Sequence, residues 1–141
     1  APGYQFTDSH ADLTVNLLNA VEQTFGDGGV ERLISRCAEQ QIETYRSRIP
    51  ARETLQNRLL ALATLRNEEG FMAEVQCQPD GSFLLIQNHC PISTAAIACS
   101  KLCDSEMEVF RAILGESVAI ERSEHMVKGT RRCVYRILEG Q

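Results

Sequence analysis

The fold is decided by the stretch FMAEVQCQPDGSFLLIQ, residues 71–87. Apolar residues alternate with others over its first seven positions, which is the period of a β-strand. The tripeptide Pro79-Asp80-Gly81 is a strong turn signal, because proline, aspartate and glycine each favour turn geometry. A second, more apolar run follows from Ser82 to Gln87. The stretch therefore predicts a β-hairpin.

Three amphipathic helices are predicted before this hairpin. The first begins near Ser9, the second follows the glycine-rich segment 26–29, and the third begins near Pro50 and ends at Gly70. Each has an apolar stripe at helical spacing. The stripes are Leu13, Leu17, Val21 and Phe25, then Val30, Leu33, Ile34, Cys37, Ile42 and Tyr45, and then Leu55, Leu59, Leu62 and Leu65. Residues 1–6 form a short lead-in.

Two helices and a second hairpin are predicted after residue 87. A short helix follows Pro91, and a longer one runs from about Asp104 to Gly115. A strand is predicted over 118–126 and another over 131–138, with Cys133, Tyr135 and Ile137 on one face. The fold class expected is α+β: N-terminal helices are followed by two hairpins that form an antiparallel sheet, with helices between and against it.

Composition limits the function classes. With 141 residues, 43% of them apolar, the chain is long enough for one domain with its own core. A net charge of −5 argues against a nucleic-acid-binding surface. No apolar run approaches the length of a membrane span.

The six cysteines argue less for a disulfide framework than for a reduced, cytoplasmic protein, because disulfide-dense domains usually lack long amphipathic helices. The start at Ala1 suggests a domain excised from a longer protein.

Three cysteines are candidate metal ligands. Cys90 lies between His89 and a proline where a strand passes into a helix, Cys103 precedes a second helix, and Cys133 lies in the last strand. A helix N-terminus favours negative charge and lowers the pKa of a thiol. Thiolates are the ligands of soft metals and iron–sulfur clusters. The pattern therefore predicts three corners of a metal or cluster site.

The other cysteines and polar residues are given simpler interpretations. Cys37 and Cys77 fall on apolar faces and are predicted to be buried core thiols. The sequence shows neither a glycine-rich phosphate loop nor a nucleophile with an orienting base and third group. We therefore expect a binding domain and no enzyme activity.

The residues around these cysteines carry a family resemblance. This part of the chain resembles the C-terminal half of SufR-type repressors. The matching residues are His89-Cys90-Pro91-Ile92, then Leu102-Cys103 with Glu106, Leu114-Gly115, His125 and Gly129-x-x-x-Cys133. These are winged-helix bacterial regulators of the DeoR/ArsR-like group. The resemblance is strongest over 82–138. It implies a sensor domain whose iron–sulfur cluster controls DNA binding by a separate N-terminal domain.

Further expectations follow from that resemblance. The cluster, of the 4Fe–4S type, would be held by Cys90, Cys103 and Cys133, with the fourth ligand open among His89, Cys99 and Glu106. Residues 1–7 would be a linker from a winged-helix domain, 8–70 the helical part and 71–141 the cysteine-containing α+β part of one sensor domain. The protein would be a cytoplasmic homodimer that contacts DNA only through the missing domain and does not contact a membrane.

Two alternatives remain open. One is structural zinc held by the three cysteines and a histidine. The other is a small-molecule sensor whose pocket lies between sheet and helices, with the cysteines as packing. The last hairpin is loosely similar to the sensor domains related to 4-vinyl reductase, which bind small ligands.

Overall fold

The protein is an α+β domain, as predicted. The computed structural model describes the backbone of residues 2–90, 101–124 and 132–139, with side chains described from residue 12 onwards except at residue 27. The helices in these ranges are α1 (Pro2–Phe25), α2 (Asp27–Arg48), α3 (Leu55–Glu68) and α4 (Lys101–Leu114). The strands are β1 (Ala73–Cys77), β2 (Phe83–Gln87), β3 (Ala119–Glu124) and β4 (Cys133–Leu138).

The four strands form one antiparallel sheet in the order β1-β2-β4-β3. The predicted first hairpin is confirmed, since Ala73 pairs with Gln87. The second hairpin, β3 with β4, is also confirmed, with an irregularity in register between residues 122 and 124. The two hairpins join through β2 and β4, which places Gln87 opposite Cys133. Side chains of residues that face each other in this way project from the same side of a sheet.

The core lies between the sheet and helices α3 and α4. Leu85 and Tyr135, which are paired across β2 and β4, project from the sheet into it. Burial of each large apolar side chain in such a core contributes about 1.5–3 kcal/mol to folding. The fully enclosed members include Leu59, Leu62, Leu85, Phe110, Leu114, Tyr135 and Ile137.

Local signals set the ends of the two core helices. Thr54 is the N-cap of α3, and its side-chain oxygen accepts a hydrogen bond from the backbone N–H of Asn57 at 3.2 Å. The third helix therefore begins at Leu55, and the predicted start near Pro50 is wrong. Gly115 follows α4 with φ of 107°, a conformation that glycine adopts without steric cost, so the predicted end of this helix is confirmed.

Helices α2 and α1 form the outer part of the domain. Helix α2 packs on α4, and α1 packs along α2. Residues 2–7, predicted to be a linker from a preceding domain, form the first turns of α1. None of the helices in the part of the chain that is described combines the length and the apolar character of a membrane-spanning segment.

Two of the predicted core thiols are in fact exposed. Cys37 lies on α2 one residue before the buried Ala38, and the turn of the helix brings its side chain to the surface. Cys77 is the last residue of the edge strand β1, where the chain enters the hairpin turn. The predicted short helix after Pro91, with Cys99, and the residue His125 lie outside the described residues.

Candidate functional site

A polar cluster is enclosed between the sheet and the helices. Five side chains form it, each from a different element: Tyr45 from α2, Arg66 from α3, Gln87 from β2, Glu106 from α4 and Tyr135 from β4. We call these five residues the Arg66 network. All five side chains are buried. Burial of the two charged ones, Arg66 and Glu106, is unusual unless they are paired.

Arg66 is the centre of the network and is only 2% exposed. Its Nε donates to Gln87 Oε1 at 2.8 Å and its Nη1 to the Tyr45 hydroxyl at 3.2 Å. Its Nη2 donates to Glu106 Oε1 in an ion pair. The guanidinium also lies 3.4 Å from the centre of the Phe71 ring. The guanidinium therefore has a partner on each of four sides, and these contacts fix its position.

Glu106 is equally well satisfied. Its Oε1 accepts from Arg66 and also from Gln87 Nε2 at 2.9 Å, and its Oε2 accepts from the Tyr135 hydroxyl at 2.9 Å. A buried carboxylate needs this number of partners to remain charged. Both oxygens therefore have hydrogen-bond partners inside the protein, and Glu106 is buried.

The two tyrosines hold their protons strongly. Burial raises the pKa of Tyr45 to about 12, although the nearby Arg66 charge opposes the shift. Burial, with the negative charge of Glu106, also raises the pKa of Tyr135 well above its usual range. Both hydroxyls are donors as a result: Tyr135 donates to Glu106, and Tyr45 donates to Glu69.

Three buried cysteines lie beside the network. Cys133 is opposite Gln87 in the sheet, Cys90 comes three residues after Gln87, and Cys103 is one helical turn before Glu106. Cys103 interacts electrostatically with both Cys90 and Cys133. The fold therefore places these three thiols in one region, although not in an arrangement that holds a metal ion.

The chemistry of Cys103 differs from the prediction. The thiol lies in the first turn of α4, where the helix dipole favours a thiolate. Burial instead raises the pKa of Cys103 to about 12, and the negative charge of Glu106 adds to the shift. The predicted lowering of this pKa is wrong because loss of hydration outweighs the dipole.

The described residues do not form a preassembled metal site. Over 12–90, 101–124 and 132–139, no three histidine, cysteine, aspartate or glutamate side chains are arranged to hold an ion. Both oxygens of Glu106 already accept hydrogen bonds, and His89 is exposed at the surface. Cys99 lies outside the described residues. The assignment of a metal or cluster to Cys90, Cys103 and Cys133 stays a prediction.

A cleft opens beside the Arg66 network, between α2 and α4. Its volume is about 310 Å³, at the lower end of small-molecule sites. Arg66 and Glu106 contribute to its floor, and the exposed Cys37 thiol lies in its wall. The lining residues are Ile34, Cys37, Ala38, Gln41, Arg66, Glu69, Phe71, Leu102, Ser105 and Glu106.

Sequence reasoning missed most of this site. Arg66 falls on the buried face of α3, four residues after Leu62, so a charge interrupts an apolar stripe. Gln87 ends the apolar run of β2 on the same face as Leu85. A polar residue inside an apolar pattern needs a buried partner, and that signal was present at both positions.

Comparisons with known proteins give one informative result. No protein-family model matches the sequence, and no characterised protein matches it significantly. Among solved structures, a trafficking protein particle complex subunit 3 from Naegleria fowleri, covalently bound to palmitic acid, has a similar fold with a TM-score of 0.57. The similarity covers 98% of this chain and 97% of that chain at 13% sequence identity.

This match corrects the functional prediction. The fold is shared with a subunit of a trafficking complex, so the predicted role as an iron–sulfur-responsive sensor domain of a winged-helix transcriptional regulator is wrong. At 13% identity the likeness concerns the fold and does not transfer a function to this chain.

Proposed function

We propose that this domain is a binding module that takes a small amphipathic molecule in the cleft between α2 and α4. The observation that carries the proposal is the composition of the cleft: a fixed, buried polar floor faces apolar walls. Binding sites for small molecules combine largely apolar walls with a few positioned polar groups in this way. The proposal involves binding without a chemical reaction.

The charges in the cleft select the polar end of the ligand. Arg66 and Glu106 compensate each other within their ion pair. Arg66 also pairs with Glu69 at 3.7 Å, so two carboxylates share one guanidinium and leave one net negative charge. Glu69 is the more exposed of these carboxylates, with 40% of its side chain exposed against 8% for Glu106. The ligand we propose therefore carries an amine, or another donor group, which contacts Glu69. Its apolar part packs against Ile34 and Phe71.

The similar structure supports the apolar half of this proposal. The trafficking subunit with the same fold holds palmitic acid covalently, so a protein with this arrangement of helices and strands accommodates an aliphatic chain. The cleft described here has polar groups at its floor and a modest volume. We therefore expect a shorter chain with a basic head group.

The test compares hexylamine, hexanol and hexanoate, which share a chain and differ in the head group. Binding stabilises a folded protein in proportion to the logarithm of ligand concentration over Kd. We expect hexylamine to raise the melting temperature most and hexanoate least. Glu69→Gln is expected to abolish the preference for the amine. An equal effect of all three compounds, or none, would contradict the proposal.

Two exposed thiols provide a direct report of occupancy. Cys37 lines the cleft, whereas Cys77 lies on β1 outside it. Hexylamine is expected to slow alkylation of Cys37 by iodoacetamide, measured by mass spectrometry, and to leave Cys77 unchanged. The substitution Ala38→Phe fills the cleft and should remove the protection, while Gln40→Phe on the exposed side of α2 is the matched control.

A second candidate is a Zn²⁺ site at Cys90, Cys103 and Cys133. The fold places the three thiols in one region without preassembling a metal site, so Zn²⁺ would have to draw them together on binding. Zinc binds deprotonated thiols, so binding there would release protons against the raised pKa of Cys103. A reducing compartment such as the cytoplasm would keep these thiols available.

Zinc content and thermal stability test this candidate. Zn²⁺ should raise the melting temperature of the native protein but not of Cys103→Ser or Cys133→Ser. Cys37→Ser and Cys77→Ser are the controls and should respond like the native protein. If all four variants respond alike, the three buried thiols do not bind zinc.

A further inference from the structure

Helix α1 carries a largely exposed apolar ridge whose C-terminal end borders α2 at Gly29. Leu13, Leu17, Val21 and Phe25 occur at every fourth position, and side chains at this spacing form a continuous row along a helix. We call these four residues the α1 ridge. Leu13, Leu17 and Phe25 are 55%, 58% and 72% exposed, far more than apolar side chains that have found a partner.

A hollow lies next to the end of the ridge, where α1 meets α2. Its volume is about 530 Å³, and its lining is apolar except for Arg32. Two glycines help to form it, because they contribute no side chain. The lining residues are Val21, Phe25, Gly28, Gly29, Arg32 and Leu33. One surface thus presents projecting leucines at one end and a concavity at the other.

We propose that the α1 ridge is the interface with a second copy of this chain. In an antiparallel pair of α1 helices centred on Asn19, Leu13 lies against the partner's Phe25 and Leu17 against the partner's Val21. The projecting half of each ridge then meets the concave half of the other. A two-fold interface pairs one surface with itself in this manner. A shallow crossing of about 20° keeps both ends in contact.

Charge supports a second copy as the occupant. Residues 13–21 are uncharged, and α1 contains no lysine or arginine. The same antiparallel pairing places Asp12 opposite the partner's Gly26, beside the hollow that contains the partner's Arg32. Because the interface is two-fold symmetric, it contains two such pairs of Asp12 with the partner's Arg32. Glu22 falls opposite the partner's Asn16, so like charges do not meet. Charge complementarity between the two copies favours this register over others.

A charge-swap experiment on the whole chain tests this interface, independently of any ligand in the cleft. Sedimentation velocity should show a dimer for the native protein and a monomer for Leu17→Glu. Asp12→Arg and Arg32→Asp should each weaken the dimer by at least about tenfold in Kd. The double variant Asp12→Arg/Arg32→Asp should recover most of the affinity, because the pair is restored with its signs exchanged.

The controls separate dimerisation from folding. Leu60→Glu, at a leucine on α3 that is 48% exposed, should leave the dimer intact. Circular dichroism should show that Leu17→Glu keeps its helix content. The proposal is overturned if the native protein is a monomer, if it associates only with a different protein, if Leu17→Glu remains a dimer, or if the double variant is no better than the single ones.

Discussion

The guanidinium of Arg66 and the carboxylate of Glu106 form an ion pair inside the protein, where their side chains are 3% and 8% exposed. The pair links α3 to α4, and hydrogen bonds from Gln87 and Tyr135 extend it to both central strands. A buried pair of this kind need not add net stability, because both charges have lost their hydration. Loss of one partner is costly, since the other charge remains enclosed and loses its buried counter-ion.

Arg66→Met is therefore expected to destabilise the domain by about 3–5 kcal/mol, measured by urea unfolding. Glu106→Leu should have a comparable effect. The double variant should lose clearly less than the sum of the two, because neither charge is then left alone. Arg48→Met provides the control, since Arg48 and Glu68 pair on the surface with both side chains 52% exposed. Additive single effects would mean that the two charges are stabilised separately.

The sequence predicted the fold largely correctly, because the signals that set it are local. The alternation over 71–77, the Pro79-Asp80-Gly81 turn and the leucines of α3 each indicate one element within a few residues. The order of the strands in the sheet, in contrast, does not follow from local signals. The pairing of β2 with β4 joins segments about fifty residues apart, and a single sequence contains no measure of which hairpin edges meet.

The candidate site was only half predictable. The three thiols were recognised because cysteine has few roles, and the structure brings Cys90, Cys103 and Cys133 into one region. Their chemistry was misjudged, since the predicted helix dipole effect on Cys103 is smaller than the effect of burial. Arg66 was overlooked because a lone arginine on an apolar helix face has meaning only when its partners are known.

Stability is expected to fall at alkaline pH. Burial raises the pKa of Cys103 from 9.0 to about 12 and that of Tyr45 from 10.0 to about 12. Both groups are neutral when protonated, so above pH 9 the unfolded chain loses protons that the folded protein retains. The contribution of these two groups to the free energy of unfolding is complete below their pKa values in the unfolded chain. It disappears as the pH rises towards their pKa values in the folded protein.

Urea midpoints measured across this range check the prediction. Cys103→Ser should make the decline less steep, because it removes one of the groups whose pKa burial raises, while Tyr45 and Tyr135 remain. Cys77→Ser, at an exposed thiol, is the matched control for the substitution itself. A slope identical in all three proteins would show that Cys103 does not titrate differently on unfolding.

The N-cap of α3 is a separate contribution to stability. Thr54→Ala removes the acceptor for the Asn57 N–H and should cost about 1 kcal/mol. Thr64→Ala is the matched control, because Thr64 is exposed on the same helix and its hydroxyl bonds only the Leu60 carbonyl one turn earlier. That change should stay within about 0.5 kcal/mol of the native protein. Equal effects of the two substitutions would argue against the cap.

The junction of α1 and α2 depends on the absence of a side chain at one glycine. A Cβ atom at Gly29 would lie 2.5 Å from Phe25 Cβ, whereas one at Gly28 would meet nothing within 4 Å. Gly29→Ala should therefore push α1 away from α2. Gly28→Ala should instead stabilise the helix by about 0.5–1 kcal/mol, because alanine restricts the unfolded chain.

Hydrogen exchange distinguishes the two substitutions. In Gly29→Ala the amides of α1 should exchange faster, while those of α3 and the sheet keep their protection, since α1 contributes no described residue to the buried core cluster. Gly28→Ala should show native exchange throughout. If α1 is protected equally in both variants, the contact between Phe25 and Gly29 does not hold the helix in place. If protection is lost over the whole domain, α1 is part of the cooperative core and not an attached outer layer.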